Sequence, residues 1–298
     1  MGARFPCSDS TTAGRYSQMT VPYFVSFNPA IPMEENLPAF MEVDDDIGRL
    51  LAGAEGVVLP AYVSPWRYAA ITAWARNWFP RLDVRFAFGG KAKQTALFRE
   101  KGVRHPETIV FSRPADVLIC LDRSGGSPWG YPAVLKGDSG GGGSRVFPVY
   151  GRRDIEKHLD DLPGDEPVLL QRWVEHGGRD LRVVVYGEIT VDYFRVGDGR
   201  FYNNICRGGR IERRLWPEDR SRGVDAVKSF CRQTGIDVAG FDLMFPDTGP
   251  PVFIEINFNF GRKGLGGSLG HRRYLLEAAG IWKTRCLRSI QPGSPGVD

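Results

Sequence analysis

The sequence has 298 residues, 42% of them hydrophobic and 25% charged, with a net charge of +4. Those proportions exclude a disordered chain, a collagen and a coiled coil, and the length suits two domains of about 150 residues. The mild positive charge does not by itself imply nucleic acid. No apolar run approaches the roughly 18 residues of a membrane helix, and the first twenty residues lack the apolar stretch of a signal peptide. The five cysteines (Cys7, Cys120, Cys206, Cys231, Cys286) are scattered, with no Cys-x-x-Cys pair. That pattern points away from disulfides and zinc and towards the cytoplasm. Basic charge gathers late in the chain: five arginines against Glu212 between Arg200 and Arg214, and seven Lys/Arg against Glu277 between Arg262 and Arg288. Such clusters suit phosphates or an acidic substrate, or form a solvated face.

In chain order, residues 1–20 read as a tail. A strand follows at 23–27, a short helix at 43–51 and an apolar strand at 56–59. Ser64-Pro65 starts a helix, serine as N-cap and proline in the first turn. Trp66, Ala69, Ala70, Ala73, Trp74 and Trp78 then recur at helical spacing, as a core-facing stripe. Alternating strands and helices predict a small α/β lobe with a parallel sheet over 21–90. A helix at 91–101 and a strand at 108–111 come next. The stretch 131–150 reads strand, glycine loop, strand, followed by a helix at 152–161 and a strand at 168–174. A hairpin, 181–186 and 189–196, turns at Gly187-Glu188. A helix at 222–234 precedes two last strands, 238–245 and 252–260, and 289–298 forms a second tail.

Two segments carry the chemistry. An apolar strand bearing Lys136 enters a loop with Gly140, Gly141, Gly142, Gly143 and Ser144, whose backbone N–H groups can close over phosphates. It is not a P-loop, because the G-x-x-x-x-G-K-[ST] pattern is absent. On the last strand the side-chain period of two places Glu255 and Asn257 on one face, with Asp242 on the strand before it. Two carboxylates and an amide oxygen are hard ligands that fit Mg²⁺ and nucleotide phosphates. Weaker signals are Gln171-Arg172-Trp173-Val174 with Asp180 and Arg182, and Asn203-Asn204 with Arg207, an arginine able to clamp a phosphate or carboxylate. The four histidines lack ligand spacing, and no nucleophile with a paired base stands out.

The order of these pieces resembles the ATP-grasp superfamily, in its branch of glutathione-synthetase-like and ribosomal-protein glutamate-ligase-like enzymes. The resemblance implies an α+β fold: a small N-terminal α/β lobe (21–90), then an ATP-grasp domain (91–288) of two subdomains, 91–174 and 175–288, gripping ATP. It implies that Lys91, or its neighbour Lys93, and Lys136 contact phosphates and that Gly140–Ser144 covers them. Gln171 and the backbone of Arg172 and Val174 meet the adenine, and Asp180 holds the ribose. Asp242, Glu255 and Asn257 bind one or two Mg²⁺ ions, with Mn²⁺ as a substitute. Arg182, Asn204 and Arg207 stand near the γ-phosphate and an acyl phosphate. The chain departs from the family at Gly89-Gly90, and after Asn257, where Arg262 is expected to hold the carboxylate substrate. The implied activity is an ATP-dependent carboxylate–amine ligase releasing ADP and phosphate, acting on a small-molecule or peptide acid and an amine, without nucleic acid or membrane partners. A kinase acting on a hydroxyl and a non-catalytic nucleotide-binding module are the alternatives.

Overall fold

The computed structural model describes residues 21–197, 201, 203, 205, 208–246 and 249–289; the expected tail at 1–20, and that at 289–298 apart from Ser289, lie outside them. The chain divides into two compact units, one formed by the described parts of residues 1–80 and 272–298, the other by Arg81–His271. In the first unit β1 (Phe24–Ser26), β2 (Glu35–Asn36), β3 (Gly56–Val58) and β4 (Trp78–Phe79) form a sheet in the order β2-β1-β3-β4 with every pairing parallel. β1 and β3 are buried throughout, as strands covered on both faces must be. Helix α1 (Asp45–Gly53) is capped by Asp44, whose Oδ1 accepts from Ile47 N at 2.9 Å. Helix α2 (Pro65–Thr72) starts as expected on Ser64 and Pro65. The end of α8 (Gly267–Arg288) supplies Trp282, which packs on Phe24 and Phe79 with ring centroids 5.5 and 5.9 Å away.

The aromatic stripe of α2 is not core. Trp66 is 71% exposed and Trp74 is exposed too, while the buried face is Arg67, Tyr68 and Ile71. The helix stops at Thr72, so Trp74 and Trp78 leave its periodicity. Trp78 instead sits on β4, its Nε1 donating to the Tyr68 hydroxyl at 2.8 Å.

The second unit holds two antiparallel sheets. One comprises β5 (Thr108–Phe111), β6 (Ala133–Gly137), β7 (Val146–Val149) and β8 (Val168–Arg172), ordered β5-β8-β6-β7. Val117 and Leu121 of α5 (Pro114–Ser124) and Ile155 of α6 (Arg152–Leu159) share its core with Leu135 and Leu170. The other comprises β9 (Arg179–Tyr186), β10 (Ile189–Val196), β11 (Arg210–Glu212), β12 (Val238–Met244) and β13 (Val252–Asn257), ordered β11-β10-β9-β12-β13. Its core is aromatic: Phe230 of α7 (Pro217–Thr234) meets Phe241 and Phe253. Helix α4 (Lys91–Glu100) adds Leu97 and Phe98 to that same core, Phe98 lying 5.8 Å from Phe230 and 5.7 Å from Phe253. So α4 precedes the four-stranded sheet in sequence but buries its apolar face against the five-stranded one. Each such aromatic stabilises by about 1.5–3 kcal/mol, enough to anchor a ten-residue helix. Helix α3 (Asp83–Ala87), α5 and α8 were not expected; α8 begins Gly-Ser-Leu-Gly and carries scattered basic residues, so its periodicity is faint. Among the described residues no helix is long and apolar enough to cross a membrane.

Candidate functional site

The centre of the site is built by strand register. Arg182 on β9 lies opposite Asp242 on β12 and Tyr193 on β10; Asp180 lies opposite Arg195; Asp242 lies opposite Glu255 on β13, next to a register shift. Arg182 grips Asp242 with two bonds, Nε to Oδ1 at 2.5 Å and Nη2 to Oδ2 at 2.9 Å. Arg195 donates from Nε to Asp180 Oδ1 at 2.6 Å and places Nη2 3.1 Å from Asp242 Oδ2. Asn257 Nδ2 adds a bond to Asp242 Oδ2 at 3.1 Å. The four charged residues are buried, which a protein tolerates only when such groups are paired. Burial alone would raise the Asp242 pKa, but Arg182 and Arg195 more than offset it and hold the carboxyl below its usual range. Asp180 goes the other way: burial, with the Asp242 charge adding to it, outweighs Arg195 and raises its pKa.

Two lysines face these carboxylates. Lys136 is buried on β6, and burial, reinforced by the Lys91 charge, lowers its pKa to about 8 despite Glu255 and Asp242. Lys91, in the first turn of α4, donates from Nζ to Gly140 O at 3.0 Å and pairs with Glu255 Oε1 at 3.4 Å. Lys93 is exposed, so of the two lysines it is Lys91 that enters the site. The loop after β6 turns through positive φ at Gly140, Gly142 and Gly143, a backbone that L side chains resist. Asp138 at its start ties it to α4: Oδ1 accepts from Ala92 N at 2.7 Å, the work an N-cap side chain normally does. The residue preceding α4 is Gly90, where an added Cβ would stand 2.1 Å from Asp138 Oδ2. The unusual Gly89-Gly90 thus has a local cause: the cap comes from the glycine loop and needs the room.

Two cavities meet over this cluster. The first, about 870 Å³ counting space open to solvent, is lined by apolar residues including Val134, Val146, Val174, Met244 and Ile254, by Gln171, Arg172 and Trp173, and by Lys91, Lys136, Asp180 and Glu255. Gln171 Nε2 donates to Thr108 Oγ1 at 2.9 Å, while the side chain of Arg172 pairs with Glu107. Sequence reasoning missed His176 here and named Asn203 only as part of the weak segment around Arg207. Asn203 is 4% exposed, and its Oδ1 has no partner among the described residues, an acceptor left for a ligand. Its Nδ2 lies 3.3 Å from His176 Nδ1, which also accepts from Gly178 N at 3.1 Å; burial lowers the His176 pKa against the opposing pull of Asp180 and Glu175. The second cavity, about 830 Å³, is lined by Gly141, Gly142, Arg182, Tyr193, Asn259 and Lys263 among others, and shares Gly143, Arg195, Asp242 and Glu255 with the first. Arg262 corrects an expectation: it is exposed, lines neither cavity, and bonds to Ser268 Oγ at 3.3 Å, while the adjacent Lys263 lines the second cavity. Ser144 also lines neither, its N–H donating to Gly141 O at 3.2 Å. Asn204 and Arg207 lie outside the described residues. Arg195, also missed, had one signal, a charge at the strand position following Val191 and Tyr193 on one face.

Asp242, Glu255 and Asn257 fit a magnesium ion by chemistry. Both acids are oxygen donors, Asp242 is held ionised, and Asn257 turns its Nδ2 to Asp242, which directs its Oδ1 elsewhere. Among the described residues no group of three or more His, Cys, Asp or Glu could hold a metal. A set of only two carboxylates and one amide leaves positions for water and phosphate oxygens, as Mg²⁺ prefers.

The fold, two antiparallel sheets in one unit, is shared with solved ATP-grasp structures. D-alanine–D-alanine ligase from Bacillus anthracis superposes with a TM-score of 0.55 at 17% identity over 85% of each chain. A RimK domain ATP-grasp protein from Sphaerobacter thermophilus gives 0.54 at 16% identity, over 76% of this chain and 81% of that one. This chain has the ATP-grasp fold. In sequence it is similar to the glutamate-ligase branch: it is 32% identical over 180 residues to a "Probable alpha-L-glutamate ligase" of Pseudoalteromonas translucida, covering 59% of this chain and 57% of that protein. The corresponding protein of Aliivibrio salmonicida is 32% identical over 185 residues, 60% of this chain and 58% of its own length. The chain therefore spans less than three-fifths of the length of these curated relatives. No family model matches it.

Proposed function

We propose that the protein is an ATP-dependent ligase that joins a carboxylate to an amine through an acyl phosphate. The observation that carries this reading is the pair of cavities meeting at Asp242, Glu255 and Arg195. The first combines apolar residues with the two lysines Lys91 and Lys136 in its lining, a mixture suited to the base and phosphates of a nucleoside triphosphate. Val134, Val174, Met244 and Ile254 enclose the base, Asn203 Oδ1 and Asp180 offer acceptors to the sugar, and Lys91 and Lys136 neutralise phosphates. The second has Arg182, Arg195 and Lys263 around it, cations suited to a carboxylate. Asp242, Glu255 and Asn257 would hold magnesium, which when bound shields the phosphate oxygens from the attacking anion. A carboxylate oxygen from the second cavity attacks the γ-phosphorus in line, the bond to the β-phosphate oxygen breaks, and ADP leaves. Lys91 and Arg182 stabilise the transferring group by position and charge alone. The amine then attacks the acyl carbon, phosphate departs, and the ammonium proton passes to solvent or phosphate. No nucleophilic side chain is needed, in keeping with a cluster made only of acids, cations and amides.

The relatives named as alpha-L-glutamate ligases, and the structural neighbours that are amino-acid ligases, support an amino acid or peptide as substrate. A neighbouring D-alanine–D-alanine ligase was crystallised with ATP, which supports the nucleotide. The test is incubation with Mg-ATP, hydroxylamine and a panel of amino acids and short peptides. Hydroxamate formed in step with ADP supports a ligase. A stable phosphorylated product without hydroxamate makes the protein a kinase, and nucleotide binding without ADP release makes it a non-catalytic module.

A further inference from the structure

Helix α4 holds β13 in place with one buried side chain. Gln94 is 4% exposed, and its amide makes two bonds to the backbone of a single residue: Nε2 donates to Ile256 O and Oε1 accepts from Ile256 N, both at 2.9 Å. β13 is an edge strand, paired only with β12. At Ile256 its N–H and C=O turn to the open side, where the next strand of a sheet would be. Gln94 supplies the donor and acceptor that the missing strand would have offered, in the same geometry as a ladder pair. Ile256 is the residue between Glu255 and Asn257, and its own side chain is buried in the core that α4 completes. It is held from both sides, while its two neighbours project to the site.

We propose, on the basis of the nucleotide and magnesium assignment just given, that Gln94 is a positioning residue that sets the placement of Glu255 and Asn257 by acting as the ladder partner of Ile256. The same helix carries Lys91, 3.4 Å from Glu255, and receives its N-terminal cap from Asp138 of the glycine loop. The loop over the phosphates, the lysine and the metal-binding strand are therefore referenced to one rigid helix. Slack at Gln94 lets β13 shift relative to Lys91 and moves both ligands together, so it weakens the cation site while leaving the base pocket intact.

The experiment uses the full chain and Mn²⁺ as probe, with free Mn²⁺ read by electron paramagnetic resonance at saturating ADP. Gln94→Met keeps the volume and removes both bonds; Leu97→Ala opens the core under the same helix while leaving both Gln94–Ile256 bonds in place. The expected result is a Mn²⁺ dissociation constant at least tenfold higher in Gln94→Met, with ADP affinity in EDTA within twofold of wild type, and both within twofold in Leu97→Ala. Should Gln94→Met not fold, Gln94→Glu carries the test, since it keeps the acceptor for the Ile256 N–H and loses only the donor; a rise of at least threefold is expected. Wild-type Mn²⁺ binding in the folded Gln94 variants, or an equal loss in Leu97→Ala, overturns the positioning role and leaves the function untouched. Absence of ADP-dependent Mn²⁺ binding in the wild type overturns both.

Discussion

Replacing Lys136 by methionine is expected to make the protein more stable and worse at binding nucleotide. The ammonium is buried on β6 beside a second cation, Lys91, and its pKa falls from 10.5 to about 8. Between those values the unfolded chain binds more protons than the folded one, so this lysine makes stability rise with pH from about 8 to about 10.5. Below pH 8 the folded state carries the full cost of the buried charge, about 3 kcal/mol at 1.36 kcal/mol per pKa step. Methionine has a similar volume and no charge, so at pH 7 Lys136→Met should gain about 2–3 kcal/mol, or about 4–12 °C for a unit of this size. The gain should shrink as pH rises through 8, to about a quarter of its full size by pH 10. Urea unfolding at pH 7, 8, 9 and 10 measures it. The same variant should bind ADP at least tenfold more weakly. Phosphate beside Lys136 raises its pKa, so wild-type protein should take up protons on binding ADP near pH 8, seen by calorimetry in two buffers of different ionisation heat. The variant should not. A variant less stable than wild type at pH 7, or a difference that stays flat from pH 7 to 10, would refute the reasoning.

Three further outcomes follow from the geometry. Asp242→Ala strands Arg182 and part of Arg195 in a buried site, and should cost about 3–5 kcal/mol in urea unfolding; a loss under about 1 kcal/mol would mean the guanidinium groups find water instead. Asn203→Leu removes an acceptor that has no partner among the described residues, so stability should change by less than about 1 kcal/mol while ADP binding, by calorimetry, weakens about tenfold; unchanged binding would remove Asn203 from the nucleotide site. Gly90→Ala pushes a methyl group against Asp138 and should cost about 1–2 kcal/mol through the lost cap. In combination with Asp138→Ala the two losses should be less than additive, and strict additivity in the double-mutant cycle would separate the two residues.

The local chemistry was legible in the sequence because it depends on short spacings. The period of two put Glu255 beside Asn257, the run of glycines after Lys136 announced a loop at positive φ, and Ser64-Pro65 marked the start of α2, each a property of a few neighbouring residues. Where a signal was faint or local periodicity misled, the reading failed: α8 went unseen, and Trp66 and Trp74 suggested a core face that solvent occupies. Tertiary structure alone decided the rest, because it depends on residues far apart in the chain. Arg195 meets Asp180 only through the β9–β10 register, and Asp242 meets both arginines only across three strands. Lys91 rather than Lys93 faces the acids because Leu97 and Phe98 orient α4 on the five-stranded sheet. Gln94 reads as an ordinary polar helix residue until it is placed 162 positions away from its partner, against an edge strand whose outward N–H and C=O must be satisfied somewhere.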